Sequence, residues 1–520
     1  MTRLSDIAPD GPAARRLCLA VVLPDGWRDD PGCARMLERL ATSDTLRIVA
    51  LSHAPRAEPD VQGGLLGRVL ALEARGVDRW PGVATPAFDA LLPDLPEIGA
   101  EHVHAVDVVL DLAGTADTAL ADRAAQGLWR LSTSAPLAGV AEAMAGAAET
   151  RVRLCGLDRA DGTWRELAQA SYDTKFLATR NRSFQREKAV QLAEHELARR
   201  AAGARDRPAR PDGQADGEPV SDPGLAGYAR RAGLQVARRV ADRLRAKVGG
   251  RPGRFCLRLA QGTALEFDPA QSVEFDAPAG QYWADPFLID HPTGLHVFFE
   301  VYDYAADRGH IAAGRLDGDR LVPLGPVLTP DYHLSYPFVF AHDGEVFMLP
   351  ESHQSGRLEL WRAVEFPLRW ELHRTALEGT PCADSALVEQ DGQWWLFTNI
   401  CRDSFGDFCS ELHVFRVDGP GMTRVEPHPL NPVVLGSRVA RGGGRVFEED
   451  GRLYRVAQDN SHGVYGYGLC LMEIECLSPR DYRERLVRHV TPDTAGIEGL
   501  IGLHHVDALN GRVIFDVRRR

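Results

Sequence analysis

Asp285 and Asp384 open two copies of one recurring pattern. Carboxylates at matched positions are what acid–base chemistry requires, provided the fold brings them to one place. The pattern is an apolar strand, a turn carrying Gly, and a second apolar strand rich in aromatics. It recurs five times after residue 280. The copies run from Asp285 to Glu300, from Tyr336 through Asp343-Gly344 to Leu349, and from Asp384 through Asp391-Gly392 to Phe397. The last two run from Gly444 through Asp450-Gly451 to Val456, and from His505 through Asn510-Gly511 to Phe515. Asp-Gly and Asn-Gly between short alternating strands are strong hairpin signals. Repetition at this spacing, with room for two outer strands per unit, reads as the blades of a five-bladed β-propeller.

Such a ring gathers the inner strand of each blade around one axial pocket. Asp285, Glu300, His333, Tyr336 and Glu351 are candidates to share it, with Asp384, Arg441, Gln458, Asp459 and His504 from the later blades. Each has a plainer alternative. Asp285 and Asp384 can cap turns between blades. Glu300 and Glu351 end inner strands, where an exposed rim serves equally well. His333 and His504 can be hydrogen-bonded structural histidines. Trp283, Trp361, Trp370, Trp394 and Trp395 read as blade core rather than sugar platforms. The His, Asp and Glu spacings make no transition-metal motif, so no metal and no cofactor are expected.

The elements ahead of the ring are of another kind. Leu17–Leu23, Leu46–Leu51 and Val106–Leu112 are strand-length apolar runs, and Cys33–Leu40 has helical spacing. Alternating strands and helices indicate an α/β, Rossmann-type domain with a parallel sheet over 16–198. A segment at 199–224, rich in Pro, Gly, Asp and Arg, reads as a disordered linker. A basic amphipathic helix is expected at 225–250, and the propeller at 265–518. Between 224 and 254 nine basic residues face one acidic residue, Asp242, a local charge of +8 in a chain of net charge -13. Two readings fit: a helix lying on an anionic membrane, or a solvated helix packing one face on its own protein.

The overall negative charge argues against nucleic-acid partners. Nine scattered cysteines form no CxxC pair, which argues against a disulfide framework and suits a reducing, cytoplasmic setting. No apolar run reaches spanning length, so the expected location is cytoplasmic or peripheral at the inner membrane face.

Several segments carry a resemblance. Trp283-Ala-Asp-Pro-Phe-Leu288, His333-Leu-Ser-Tyr-Pro-Phe338, Leu349-Pro-Glu-Ser352, Phe366-Pro-Leu-Arg-Trp370, Trp394-Trp-Leu-Phe397 and Ala457-Gln-Asp459 together resemble the amino-terminal propeller of the glucosamine inositolphosphorylceramide transferase family. The first blade is more distantly similar to family-43 glycosidases. That second resemblance implies a base at Asp285, a pKa-tuning Asp at Asp384 and an acid Glu on the fourth blade. The fourth blade here opens Ser437-Arg-Val-Ala-Arg441 and has no such Glu. A guanidinium cannot protonate a leaving group, but it can hold a phosphate or carboxylate bidentately.

The first half resembles formyltransferases through Asp107-Val-Val-Leu-Asp-Leu112 and Gly127-Leu-Trp-Arg-Leu131. That family's Asn-x-His pair is missing from the corresponding stretch, Arg130-Leu-Ser-Thr-Ser-Ala-Pro136, so formyl transfer is expected to be absent.

The leading expectation is a glycosyltransferase-like enzyme of cell-surface glycan or glycolipid assembly, taking a sugar nucleotide or sugar phosphate. One alternative is a glycoside hydrolase whose acid has moved to Glu351. The other is a non-catalytic glycan-binding or scaffolding protein.

Overall fold

The computed structural model describes residues 16–56, 64–77, 95–98, 105–135, 137–203, 210–211, 224–247 and 254–519. The chain forms two compact units. One contains Ala241–Cys401 and Phe408–Arg520, and the other Gly11–Val240 with Arg402–Asp407.

The first unit is a five-bladed propeller. Four blades are consecutive meanders of at least four strands, starting at Gln281, Ser335, Cys382 and Gly442. In each, the first strand packs on the first strands of its neighbours and lines the axis. The turns form as the sequence predicts. Asp343-Gly344, Asp391-Gly392, Asp450-Gly451 and Asn510-Gly511 all carry positive φ at both residues, which a two-residue hairpin of the right twist requires. The fifth blade is composite. Arg512–Arg519 pairs with Val506–Leu509 on one side and with Arg254–Gln261 on the other. The propeller therefore begins at Arg254 rather than at 265, because the strand that closes the ring precedes the first hairpin copy.

The first strands of three blades share a local defect. One extra residue interrupts the ladder between Ala284 and Phe287, between Ser335 and Phe338, and between Ala383 and Ala386. At each bulge one non-glycine residue sits in the left-handed region: Asp285 at φ 50°, Tyr336 at 47° and Asp384 at 46°. Such backbone costs about 1–3 kcal/mol each and is characteristic of functional sites. Bulges re-aim side chains, here at equal register in successive blades. In the fourth blade the irregularity lies between Gly442 and Val446. Gly444 (φ 156°) stands there, and a Cβ on it would lie 2.1 Å from the Val506 carbonyl oxygen.

The second unit is built on a seven-stranded sheet. Leu17–Pro24 pairs in parallel with Leu46–Ala54 and with Val108–Asp111, which pairs in parallel with Leu128–Leu131. The expected strands and the α/β pattern are present. Asp30 caps the helix Pro31–Ala41, accepting from Gly32 N at 2.8 Å, with Pro at the first helical position. The sheet is mixed rather than wholly parallel. Glu149–Leu157 and Trp164–Asp173 extend it antiparallel, and the alternating burial of Glu149–Leu157 is that of a strand with one covered face.

A 24-residue helix, Ala178–Ala201, carries a largely buried set of polar residues, so the helix runs into the segment expected as linker. Its Lys188 is fully buried and paired with Asp403 and Asp407, the latter at 2.8 Å. Most of the expected linker lies outside the described residues. The basic helix is present as Gly224–Lys247. Among the described residues no helix is long and apolar enough to cross a membrane.

Candidate functional site: an axial carboxylate cluster

The bulges bring Asp285 and Asp384 to the axis, where they are 5% and 4% exposed. One ladder position further along, Glu300 pairs with Ala284 and Glu351 with Ser335. The same position in the third blade holds Asn399, opposite Ala383. The period-two alternation of the second strands thus delivers one polar side chain per blade to the same depth.

Arg441 reaches this cluster from the segment before the fourth blade. Its Nε donates to Asp384 Oδ2 at 2.6 Å, and its Nη2 to Glu351 Oε2 at 3.1 Å. The guanidinium expected to hold an anionic ligand is therefore already shared between two carboxylates. Gln458 Nε2 also donates to Asp384 Oδ2, at 3.1 Å. Asn399 fixes the backbone next door, accepting from Gly442 N and donating to the Ala440 carbonyl.

The closing blade supplies the other wall. His504 Nδ1 lies 2.7 Å from Asp516 Oδ2, and its Nε2 lies 3.7 Å from Asp285 Oδ1. Asp516 also accepts from the backbone N–H of Asp285, His504 and His505. Asp285 in turn accepts from Tyr336 N at 3.1 Å. Asp285, His504 and Asp516 each present a ligand atom within 4.8 Å of the others, the spacing at which three such groups can hold a cation. A protonated His504 would supply that positive charge itself.

These contacts set the protonation states. Burial raises the Asp285 carboxyl, His504 pulls it back, and the charges of Asp516 and Glu351 leave it at about 6. Burial would also raise Glu351, but the His353 hydrogen bond and Arg441 hold it down at about 2. Burial drives Asp384 upward, and repulsion from Glu351 adds to this against the pull of Arg441. Glu300 is raised by burial and then by Asp285 and Glu351. Burial disfavours an imidazolium at His504, but Asp516 and Asp285 outweigh it and hold the ring above its ordinary value.

Two candidates fall elsewhere. Tyr336 is wholly buried, and its hydroxyl donates to the Gly444 carbonyl at 2.6 Å. Its ring packs edge-on against Phe287, so it holds the first, second and fourth blades together and offers a ligand nothing. Asp459 follows Gln458 on the strand and so faces the other way, accepting from Ser461 Oγ at 2.5 Å and lying 2.9 Å from His489 Nε2. His333 lies beside the cluster, with Nε2 3.6 Å from Glu300 Oε1. Trp283 and Trp395 are core residues, as expected.

Sequence reasoning missed Asp516, His353, Tyr465 and Asn399. Tyr465 is 42% exposed, and the Arg441 guanidinium lies 5.2 Å from its ring. A signal existed for Asp516: it is the one charge inside the apolar run Val513-Ile-Phe-Asp-Val517.

Comparison with known proteins places this ring. Glucosamine inositolphosphorylceramide transferase 1 of Arabidopsis thaliana is 39% identical over 207 residues, 39% of this chain and 27% of that protein. Its counterpart in Oryza sativa subsp. japonica is 36% identical over 238 residues, 43% of this chain and 31% of that one. The chain thus spans less than a third of the length of either relative.

Remote likenesses also occur among solved structures. Zg3597, a family 117 glycoside hydrolase of Zobellia galactanivorans, is 14% identical at a TM-score of 0.34, covering 51% of this chain and 90% of that one. An alpha-L-arabinofuranosidase from Lactobacillus brevis is 13% identical at 0.33, covering 47% and 86%. Residues 269–509, nearly the whole propeller, match the family described as glucosamine inositolphosphorylceramide transferase 1, N-terminal.

Proposed function

We propose that this is a carbohydrate-active protein of glycan or glycolipid assembly, and that its axial pocket binds the sugar on which glycosyl transfer takes place. The observation that carries the reading is the coincidence of the family match with the carboxylate cluster at the axis. Sugar hydroxyls are read by fixed carboxylates and amides, and Asp285, Asp384 and Gln458 are fixed here by their own hydrogen bonds. An anionic donor, the class first expected, would have to compete with Asp384 and Glu351 for Arg441. A sugar bound through its hydroxyls needs no such exchange.

Thermal shift with a panel of nucleotide sugars, sugar phosphates and free sugars tests the reading. At least one member should stabilise the wild type in a saturable manner. Asp285→Asn should abolish that shift while melting close to the wild type in its absence, whereas Asp384→Asn, which takes a carboxylate from the buried Arg441, should lose both the shift and stability. A panel without effect on the wild type, or equal shifts in the variants, would count against it.

A peripheral place on an anionic membrane belongs to the same proposal. The two halves of the helix Gly224–Lys247 use different residues. Leu225, Tyr228 and Ala232 pack against Leu70, Val140 and Met144. Leu234, Val236, Val240 and Leu244 are 51%, 45%, 49% and 59% exposed, and Arg230 and Arg238 are exposed beside them. An apolar strip beside exposed arginines suits a headgroup boundary. The full chain should sediment with vesicles containing phosphatidylglycerol, and not with phosphatidylcholine alone. Leu234→Glu with Val240→Glu should release it, as should high salt. Binding indifferent to lipid charge and to these substitutions would remove the proposal.

A further inference from the structure

Glu300 and Glu351 occupy the same ladder position in adjacent blades, yet their surroundings are opposite. Glu351 Oε1 lies 2.8 Å from His353 Nδ1, and its Oε2 accepts from Arg441. It is a paired anion and has no proton to give. Glu300 has neither partner. Its Oε1 is buried and without a hydrogen-bond partner among the described residues. The basic group near it is His333, whose Nδ1 accepts from the Gly309 backbone N–H at 2.9 Å. That hydrogen bond leaves the neutral ring with its proton on Nε2, and burial lowers the ring's affinity for a second proton.

The strongest charges acting on Glu300 come from four other strands, as Asp285, Glu351, Asp384 and Asp516, and these are acidic. A buried carboxylate among carboxylates, with no cation of its own, keeps its proton. The site also makes room for it: a Cβ on Gly309 would lie 2.5 Å from Glu300 Oε1.

We propose that Glu300 is the proton donor of the axial pocket, with Asp285 as its base, and that the donor substrate is a glycoside whose leaving group is an alcohol. This rests on the glycosyl-transfer reading above. A nucleoside diphosphate departs as a stable anion and needs no proton. An alkoxide does need one, and a buried neutral carboxyl supplies it. As the C1–O bond breaks, its electron pair passes to the oxygen, which takes the Glu300 proton and leaves as an alcohol. The incoming hydroxyl, of water or of an acceptor sugar, bonds to C1 and gives its proton to Asp285. One proton leaves Glu300 and one arrives at Asp285.

Two measurements test this on the full chain. With carbon-13 in the glutamate carboxyls, infrared spectra at neutral pH should show a protonated glutamate in the wild type and in Glu351→Gln. The band should vanish in Glu300→Gln. No band in the wild type, or a band lost with Glu351 instead, overturns the assignment whether or not any sugar binds.

The second measurement uses a panel of aryl glycosides. Glu300→Gln should lose about 10²–10⁴-fold in rate on phenyl glycosides, whose leaving group needs the proton. On 4-nitrophenyl glycosides, whose leaving group does not, it should lose far less. Equal losses on both, or no cleavage of either by the wild type, overturn the catalytic role. If sugars still shift the melting temperature in that case, the binding reading stands without it.

Discussion

Replacing Arg441 by Met is expected to destabilise the propeller by about 3–5 kcal/mol, the usual consequence of removing one partner from a buried ion pair. Its side chain is 11% exposed, and Asp384 and Glu351 beside it are 2% and 6% exposed at the side chain. Without the guanidinium, two carboxylates face each other in a medium that solvates neither. Adding Asp384→Asn and Glu351→Gln should recover much of the loss, because neutral amides can hydrogen-bond where carboxylates repel. Urea unfolding of the single and triple variants measures both. Equal stabilities for the single variant and the wild type would mean that water reaches the cluster freely.

The pH dependence follows from Glu351. Its folded-state pKa of about 2 lies below the ordinary 4.5. Its stabilising contribution, about 3–4 kcal/mol at about 1.4 kcal/mol per unit, is therefore fully present above the ordinary value. It is lost as pH falls from 4.5 through about 2, the interval over which wild type and Glu351→Gln should converge in stability.

Lys188→Met should be comparably damaging in the α/β unit, again by about 3–5 kcal/mol. Lys188 and Asp403 have side chains at 0% exposure, and Asp407 is at 14%. Asp403 also accepts from the backbone N–H of Phe405 and Asp407, so its charge is anchored and cannot swing out to water. The triple variant with Asp403→Asn and Asp407→Asn should be more stable than Lys188→Met alone. Calorimetry of the full chain would register the change in the transition of this unit. A single variant that melts like the wild type would show the lysine to be dispensable.

The ring was legible because its signals are local. Asp-Gly and Asn-Gly pairs demand positive φ at both residues, and nothing distant alters that demand. The register of Asp285 and Asp384 was legible for the same reason, since each precedes its hairpin turn at a fixed distance. The strand Arg254–Gln261 was not, because its partner is Arg512–Arg519 and nothing near it in sequence marks the pairing.

The role of Glu351 escaped for a related reason. From sequence, Glu300 and Glu351 are equivalent, and Glu351 was the natural acid. What separates them is which residue lies opposite, His353 and Arg441 in one case and a neutral His333 in the other. The helix Ala178–Ala201 was obscure because its buried positions include Glu187, Lys188, Gln191 and Glu196. Periodicity rules read such residues as solvent-facing unless their partners are known.

The composite fifth blade has a consequence for when the site exists. Asp516 lies on the strand that pairs with Arg254–Gln261, and His504 lies just before that hairpin. His504 is the counter-charge of Asp285, and Asp516 holds both the His504 ring and the Asp285 backbone in place. The first four blades can each form from neighbouring segments, but these two residues reach the axis only when strands from opposite ends of the ring meet. Closure of that long loop is the entropically expensive step. Under the proposed acid–base role, competence is gated by completion of the fold, and a partly assembled ring would carry Asp285 without the His504 charge. Such a species would be chemically silent, so activity and full assembly should arise together during refolding.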